Sequence, residues 1–135
     1  MLHIEGFAAP YRSRNCFNET FTTCAFAGKL KPVEMLLEHK GAPVGWWDAV
    51  WENLAGIWVR GRLTDPFYAR RPTDLLRNLP ELSVSYGSTD GPREARYIGG
   101  GRFKPTLVTP NNATGLDEVS LVSQGAFKGT HWRFT

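Results

Sequence analysis

The sequence is poor in the residues that staple or metallate a small protein, with two cysteines and three histidines among 135 residues. Cys16 and Cys24 lack CxxC spacing, and two thiols are too few for a disulfide framework, so both are expected to stay reduced. His3, His39 and His131 fall in no HxxxH or HxxE pattern, which leaves no recognisable metal signature and an expectation of no cofactor. There is no apolar run of membrane-spanning length. The opening "MLHIEGFAAPYRSRN" has no long apolar core, so no signal peptide is expected and the chain reads as cytosolic. Blocks of like charge are missing too. The net charge of +3 is spread over arginines such as Arg60, Arg62, Arg70 and Arg71 with acids between them. That pattern suits a solvated surface rather than a nucleic-acid face. "GGGRFKP", residues 99 to 105, lacks the GK(S/T) ending of a phosphate loop and is expected to be a turn, a flap over a site.

What is present is short apolar alternation. At 135 residues the chain is expected to be one domain, residues 1–135, able to bury roughly two-thirds of its unfolded surface. His3 to Ala8 alternates as an opening strand stopped by Pro10. "VEMLLEH" suits a strand, and "LAGIWVRGRLT" sets Ile57 and Val59 on one face and Trp58 and Arg60 on the other. "FTTCAFAGKLKP" is compatible with a short strand or a helical turn. Thr64 or Asp65 can cap a helix with Pro66 at its first position, and a second helix is expected from Thr73 to before Pro80. "LSVSYGS" and "LDEVSLVSQ" close the series of strands, with a hairpin expected around the glycine run at 99–101. The sum is a mainly β barrel or sandwich with short helices.

His39, in "MLLEHKGAPVGWW", is the residue this pattern leaves unexplained. It is expected at the end of a strand, with the chain turning away through Pro43–Gly45. A reactive imidazole needs a nucleophile to deprotonate and a carboxylate to hold its tautomer. Ser83 lies inside one candidate strand and Glu118 near the start of another, each flanked by apolar residues. Taken alone these are ordinary strand residues. Ser85, on the same strand face as Ser83, and Ser120 are rival nucleophiles. Cys24 with His39 would make a cysteine hydrolase, but nothing around Cys24 marks an activated thiolate. Trp46, Trp47, Trp51 and Trp58 read as core or dimer contacts.

Six segments in order carry more. "EGFAAPY", "FTTCAFAG", "LLEHKGAPVG", "LAGIWVRGRL", "LSVSYG" and "LDEVSLVSQGAF" together resemble the prohead proteases of tailed bacteriophages, serine peptidases of head maturation. The likeness runs from Glu5 to about Phe127, and extends distantly to herpesvirus maturation proteases. It implies a closed β-barrel flanked by helices. It also implies His39 as general base, Ser83 as nucleophile and Glu118 as the acid that orients the base. The oxyanion hole would lie in the loop after the last strand, at Gln124 and Gly125. The implied partners are the major capsid protein and scaffold as substrates and a second copy in a dimer, with no nucleic acid or membrane required. The implied place of action is the host cytoplasm, inside the assembling prohead. The sequence departs from the family pattern where Ser85 replaces a glycine and where "QGAFKG" follows the last strand. These departures keep a second expectation in play, an inactive capsid-assembly or scaffold protein with the same fold.

Overall fold

Period-two burial organises the chain. The structure, a computed structural model, describes residues 2–89, 96–99, 102–104 and 106–135, with backbone alone between 96 and 106. Seven strands form the main sheet: β1 (Leu2–Pro10), β3 (Val33–Leu37), β4 (Lys40–Glu52), β5 (Gly56–Leu63), β6 (Glu81–Ser88), β10 (Ala113–Val122) and β11 (His131–Phe134). Their order is β11-β1-β5-β4-β3-β10-β6. β3 and β10 run parallel, and every other neighbouring pair is antiparallel. β2 (Glu19–Phe21) pairs with β9 (Thr106–Val108), and β7 (Arg96–Gly99) with β8 (Arg102–Lys104). The hairpin expected near the glycine run is thus present, whereas the flap role given to 99–105 falls on side chains outside the described residues.

β5 follows its sequence pattern closely: Ile57, Val59, Gly61 and Leu63 are buried, and Arg60 is exposed. In β1 a bulge between Phe7 and Ala9 shifts the alternation, so Ala8 and Ala9 are both buried. Trp47, Met35, Ile4, Ile57, Leu63 and Leu121 are among the fully buried residues of the core. The Trp47 indole N–H donates to Val119 O at 3.0 Å, which satisfies its one polar atom inside apolar surroundings. A second cluster packs Phe21 against Phe26, Tyr86 and Phe127 with ring centroids 4.8–5.2 Å apart.

The sheet curls strongly but does not close, and this corrects the expected closed barrel. β6 and β11 are the two edges. They approach through isolated side-chain bonds, Leu82 N–H to Thr130 Oγ1 (3.2 Å) and Trp132 Nε1–H to Leu79 O (2.6 Å), with no ladder between them. Curling brings Leu82 across the sheet onto β1. A Cβ at Gly6 would sit 2.3 Å from the backbone oxygen of His131 on β11 as well as 2.7 Å from Leu82 Cδ1, and the backbone contact makes glycine necessary there.

Two short helices, α1 (Pro66–Ala69) and α2 (Pro72–Asn78), carry the chain from mid-sheet β5 to edge strand β6. Asp65 caps α1 by accepting from Phe67 N–H at 2.9 Å, with Pro66 first in the helix as expected. α2 begins one residue before the expected Thr73, at Pro72, because the same rule applies to the second proline. The ambiguous "FTTCAFAGKLKP" resolves into the end of β2 followed by turns, closed by Ala25 N–H to Thr22 O and Lys29 N–H to Phe26 O.

Candidate active site

His39 is not at a strand end before a Pro-Gly turn; the turn is at His39 itself. Leu37 pairs with Lys40, leaving Glu38 and His39 as a two-residue connection with φ of 51° and 61°. Positive φ at both positions is the signature of the hairpin turn that normally takes Asn-Gly. Placing side-chain-bearing residues there costs roughly 1–2 kcal/mol each. Pro43 and Gly45 lie within β4. Pro43 falls between the pairs Leu37–Lys40 and Met35–Gly45, where no ladder partner needs its missing N–H.

The turn is bolted to β10. Glu38 N–H donates to Leu121 O (3.0 Å), and Ser123 N–H donates to the Glu38 carboxylate (2.8 Å). His39 N–H donates to Ser120 Oγ (3.0 Å). The His39 ring contacts Glu118 through Nδ1 and Oε1.

The register of β6 on β10 puts Ser83 opposite Ser120 and Ser85 opposite Glu118. Residues two apart share a strand face, so these four polar residues form a square on one face of the edge pair. Glu118 is buried and accepts from two hydroxyls besides contacting the imidazole, from Ser85 (2.8 Å, Oε1) and Ser120 (2.7 Å, Oε2). An ionised carboxylate can only accept, so we assign the ring proton to Nδ1. The lone pair of Nε2 is then left to take a proton. Ser85 Oγ is 3.4 Å from Nδ1, which places it on the carboxylate side of the ring. Ser83 and His39 line the same groove, a cavity of about 230 Å³, and no hydrogen bond joins them among the described residues.

The groove is also lined by Asn15, Glu19 and Tyr86, none of them among the residues nominated from the sequence. Asn15 Nδ2 donates to Glu19 Oε1 (3.0 Å), Tyr86 OH donates to Glu19 Oε2 (2.8 Å), and Glu19 is itself buried. Phe17, Phe21 and Phe127 supply its apolar surface. The available signal was Asn15 four residues before Glu19, where the Asn side chain also accepts from the backbone N–H of Phe17 and Glu19.

Gln124 and Gly125 lie beside the groove, whose lining from this loop is Ala126 and Phe127. The Gly125 N–H is engaged, donating to Glu81 Oε1 at 2.8 Å, and is not a free donor in this conformation. Ser120 is fully buried with its proton given to Glu118, which leaves it neither exposure nor a free O–H for attack. Cys24 makes no hydrogen bond to His39 among the described residues, and no group of three or more His, Cys, Asp or Glu among them is arranged to hold a metal ion.

The sequence matches no protein-family model and no curated protein. Its fold nevertheless has solved counterparts. The protease of Kaposi's sarcoma-associated herpesvirus (KSHV), in complex with a hexapeptide phosphonate inhibitor, aligns with a TM-score of 0.65 at 18% identity, over 99% of this chain and 64% of the viral one. The same protease with an allosteric inhibitor gives 0.59 at 17% identity, over 99% and 77%. With a dimer disruptor it gives 0.57 at 18% identity, over 99% and 76%. This chain therefore spans less than two-thirds of the first of these. It has the herpesvirus-protease-like fold, with the barrel left open.

Proposed function

We propose that this protein is a serine endopeptidase of bacteriophage head maturation, cleaving scaffold or the scaffolding segment of the major capsid protein. The observation that carries the reading is the His39–Glu118 contact on the wall of the groove that also holds Ser83. The fold likeness to a viral protease supports the reaction class. The order of the six sequence segments supports the phage setting.

In this reading Ser83 Oγ attacks the scissile carbonyl carbon while its proton passes to His39 Nε2. Glu118 accepts from Nδ1–H and stabilises the imidazolium that forms. The tetrahedral intermediate collapses with transfer of that proton to the leaving amine. Water, deprotonated by the same ring, then releases the acyl group from Ser83. General base action of this kind contributes roughly 10²–10⁴-fold. The mechanism is acid–base and nucleophilic and uses no cofactor. The Glu81–Gly125 contact has to open if the loop at 124–128 is to face a developing oxyanion. Work inside the prohead, in the host cytoplasm, and pairing with a second copy belong to the same proposal; dimer-disruptor complexes are known for the KSHV protease.

A fluorophosphonate probe tests it. The wild-type chain should be labelled on Ser83, and Ser83→Ala or His39→Ala should abolish both labelling and cleavage of co-expressed capsid protein. Labelling that survives Ser83→Ala and is lost in Ser85→Ala would move the nucleophile by two residues. A second reading, an inactive capsid-assembly protein, is favoured by the engaged Gly125 amide. It predicts no labelling even when the protein is assembled with its scaffold.

A further inference from the structure

Ser120 has no part in the bond-making steps above, yet its hydroxyl is the most deeply buried of the site's serines. It donates to Glu118 Oε2 at 2.7 Å and accepts from His39 N–H at 3.0 Å. One small group thus links the two features on which the imidazole depends, the carboxylate that faces Nδ1 and the left-handed turn that presents the ring.

The chemistry of a hydroxyl suits both bonds at once. Its single proton goes to the carboxylate, and its lone pairs are then free to accept the amide N–H. Glu118 is held on both oxygens, Oε1 by Ser85 and Oε2 by Ser120, so its plane is fixed where it meets the ring. Without the hydroxyl, Oε2 loses its donor and the carboxylate is free to rotate about its last side-chain bond. His39 N–H also loses its acceptor, at a residue whose φ of 61° is maintained only by its neighbours. Groups of this kind, one bond removed from the reacting atoms, set the precision of a site.

We propose that Ser120 is a positioning residue that fixes the His39–Glu118 pair, and through it the Nδ1–H tautomer of the base. This rests on the peptidase reading for its catalytic consequence, but the tautomer can be read without any activity. The test is Ser120→Ala, which removes one buried oxygen and adds no bulk, with Val119→Ala as a control that damages the neighbouring core position. Long-range ¹H–¹⁵N spectra of the full chain report the His39 tautomer, and a fluorophosphonate probe reports the reaction rate at Ser83. The expected result for Ser120→Ala is a neutral ring shifted from Nδ1–H toward Nε2–H and labelling slowed about tenfold or more. Val119→Ala should lower thermal stability and leave the tautomer on Nδ1. A Ser120→Ala protein that keeps the Nδ1–H tautomer, or labels within twofold of wild type, overturns the proposal. If the wild-type chain does not label at all, the peptidase reading fails instead. The tautomer alone then decides whether Ser120 positions the pair.

Discussion

Ser85 gives its hydroxyl proton to Glu118 Oε1, the same oxygen that faces His39. The bond puts Ser85 among the groups that hold the carboxylate, and leaves Ser83 as the serine of this strand face without such a role. Ser85→Ala should therefore keep fluorophosphonate labelling within about tenfold of wild type, whereas Ser83→Ala should abolish it. Mass spectrometry of the labelled peptide distinguishes the two sites, which are two residues apart.

Glu118→Gln preserves size and removes the charge. The amide can donate as well as accept, so it no longer dictates which ring nitrogen carries the proton. Labelling and proteolysis should fall by roughly 10²–10⁴-fold, as when an orienting carboxylate is replaced by its amide in other serine peptidases. The melting temperature should change little by comparison, since Ser85 and Ser120 can still bond the side chain.

The Glu81 carboxylate occupies Gly125 N–H. If loop 124–128 supplies the oxyanion donors, Glu81→Ala should free that amide and raise the labelling rate several-fold without a change in His39 tautomer. A slower Glu81→Ala protein with the same melting temperature would instead make Glu81 part of the productive loop conformation.

Glu5 gives a stability test away from the site. It is bonded by Arg133 (Nε, 2.7 Å) and Arg60 (3.2 Å). The Arg133 hydrogen bond first, with Arg60 adding to it, holds the Glu5 carboxyl below its ordinary range. A depressed carboxyl stabilises the fold fully above its unfolded-state value and loses that contribution as pH falls through the folded one. Glu5→Gln should therefore melt lower than wild type at pH 7, with the gap narrowing below about pH 4. The effect should also shrink in high salt, because both arginines are largely exposed.

Much of this architecture is legible in the sequence wherever one residue face decides burial. The alternation of Ile57, Val59 and Leu63 identifies β5, and Asp65-Pro66 identifies the start of α1. β11 is not legible, because only Trp132 of its four residues is buried and its partner strand β1 lies at the other end of the chain, with Ile4 opposite Phe134. Closure fails for a related reason: no local pattern reports whether β6 and β11 come within ladder distance. Within the site, His39, Ser83 and Glu118 can be nominated from types and order. The bond network cannot, since it depends on the registers Ser120–Ser83 and Glu118–Ser85, fixed by strands far apart in the chain. Pro43 and Gly45 have the residue types of a turn, but Glu38 and His39 adopt the turn conformation under constraint from β10.

That constraint has a consequence for folding. His39 lies 79 residues from Glu118 and 81 from Ser120 along the chain, so its ring and its backbone are both held by contacts of long sequence separation. Pairings of this kind form slowly, because the entropy of closing the intervening loop is lost before the contact repays it. The β3–β4 pairing is local in the chain, but without β10 nothing holds the conformation of Glu38 and His39. A newly made chain therefore carries every residue of the site well before it has an oriented base, and the docking of β10 sets the moment at which the imidazole is aimed.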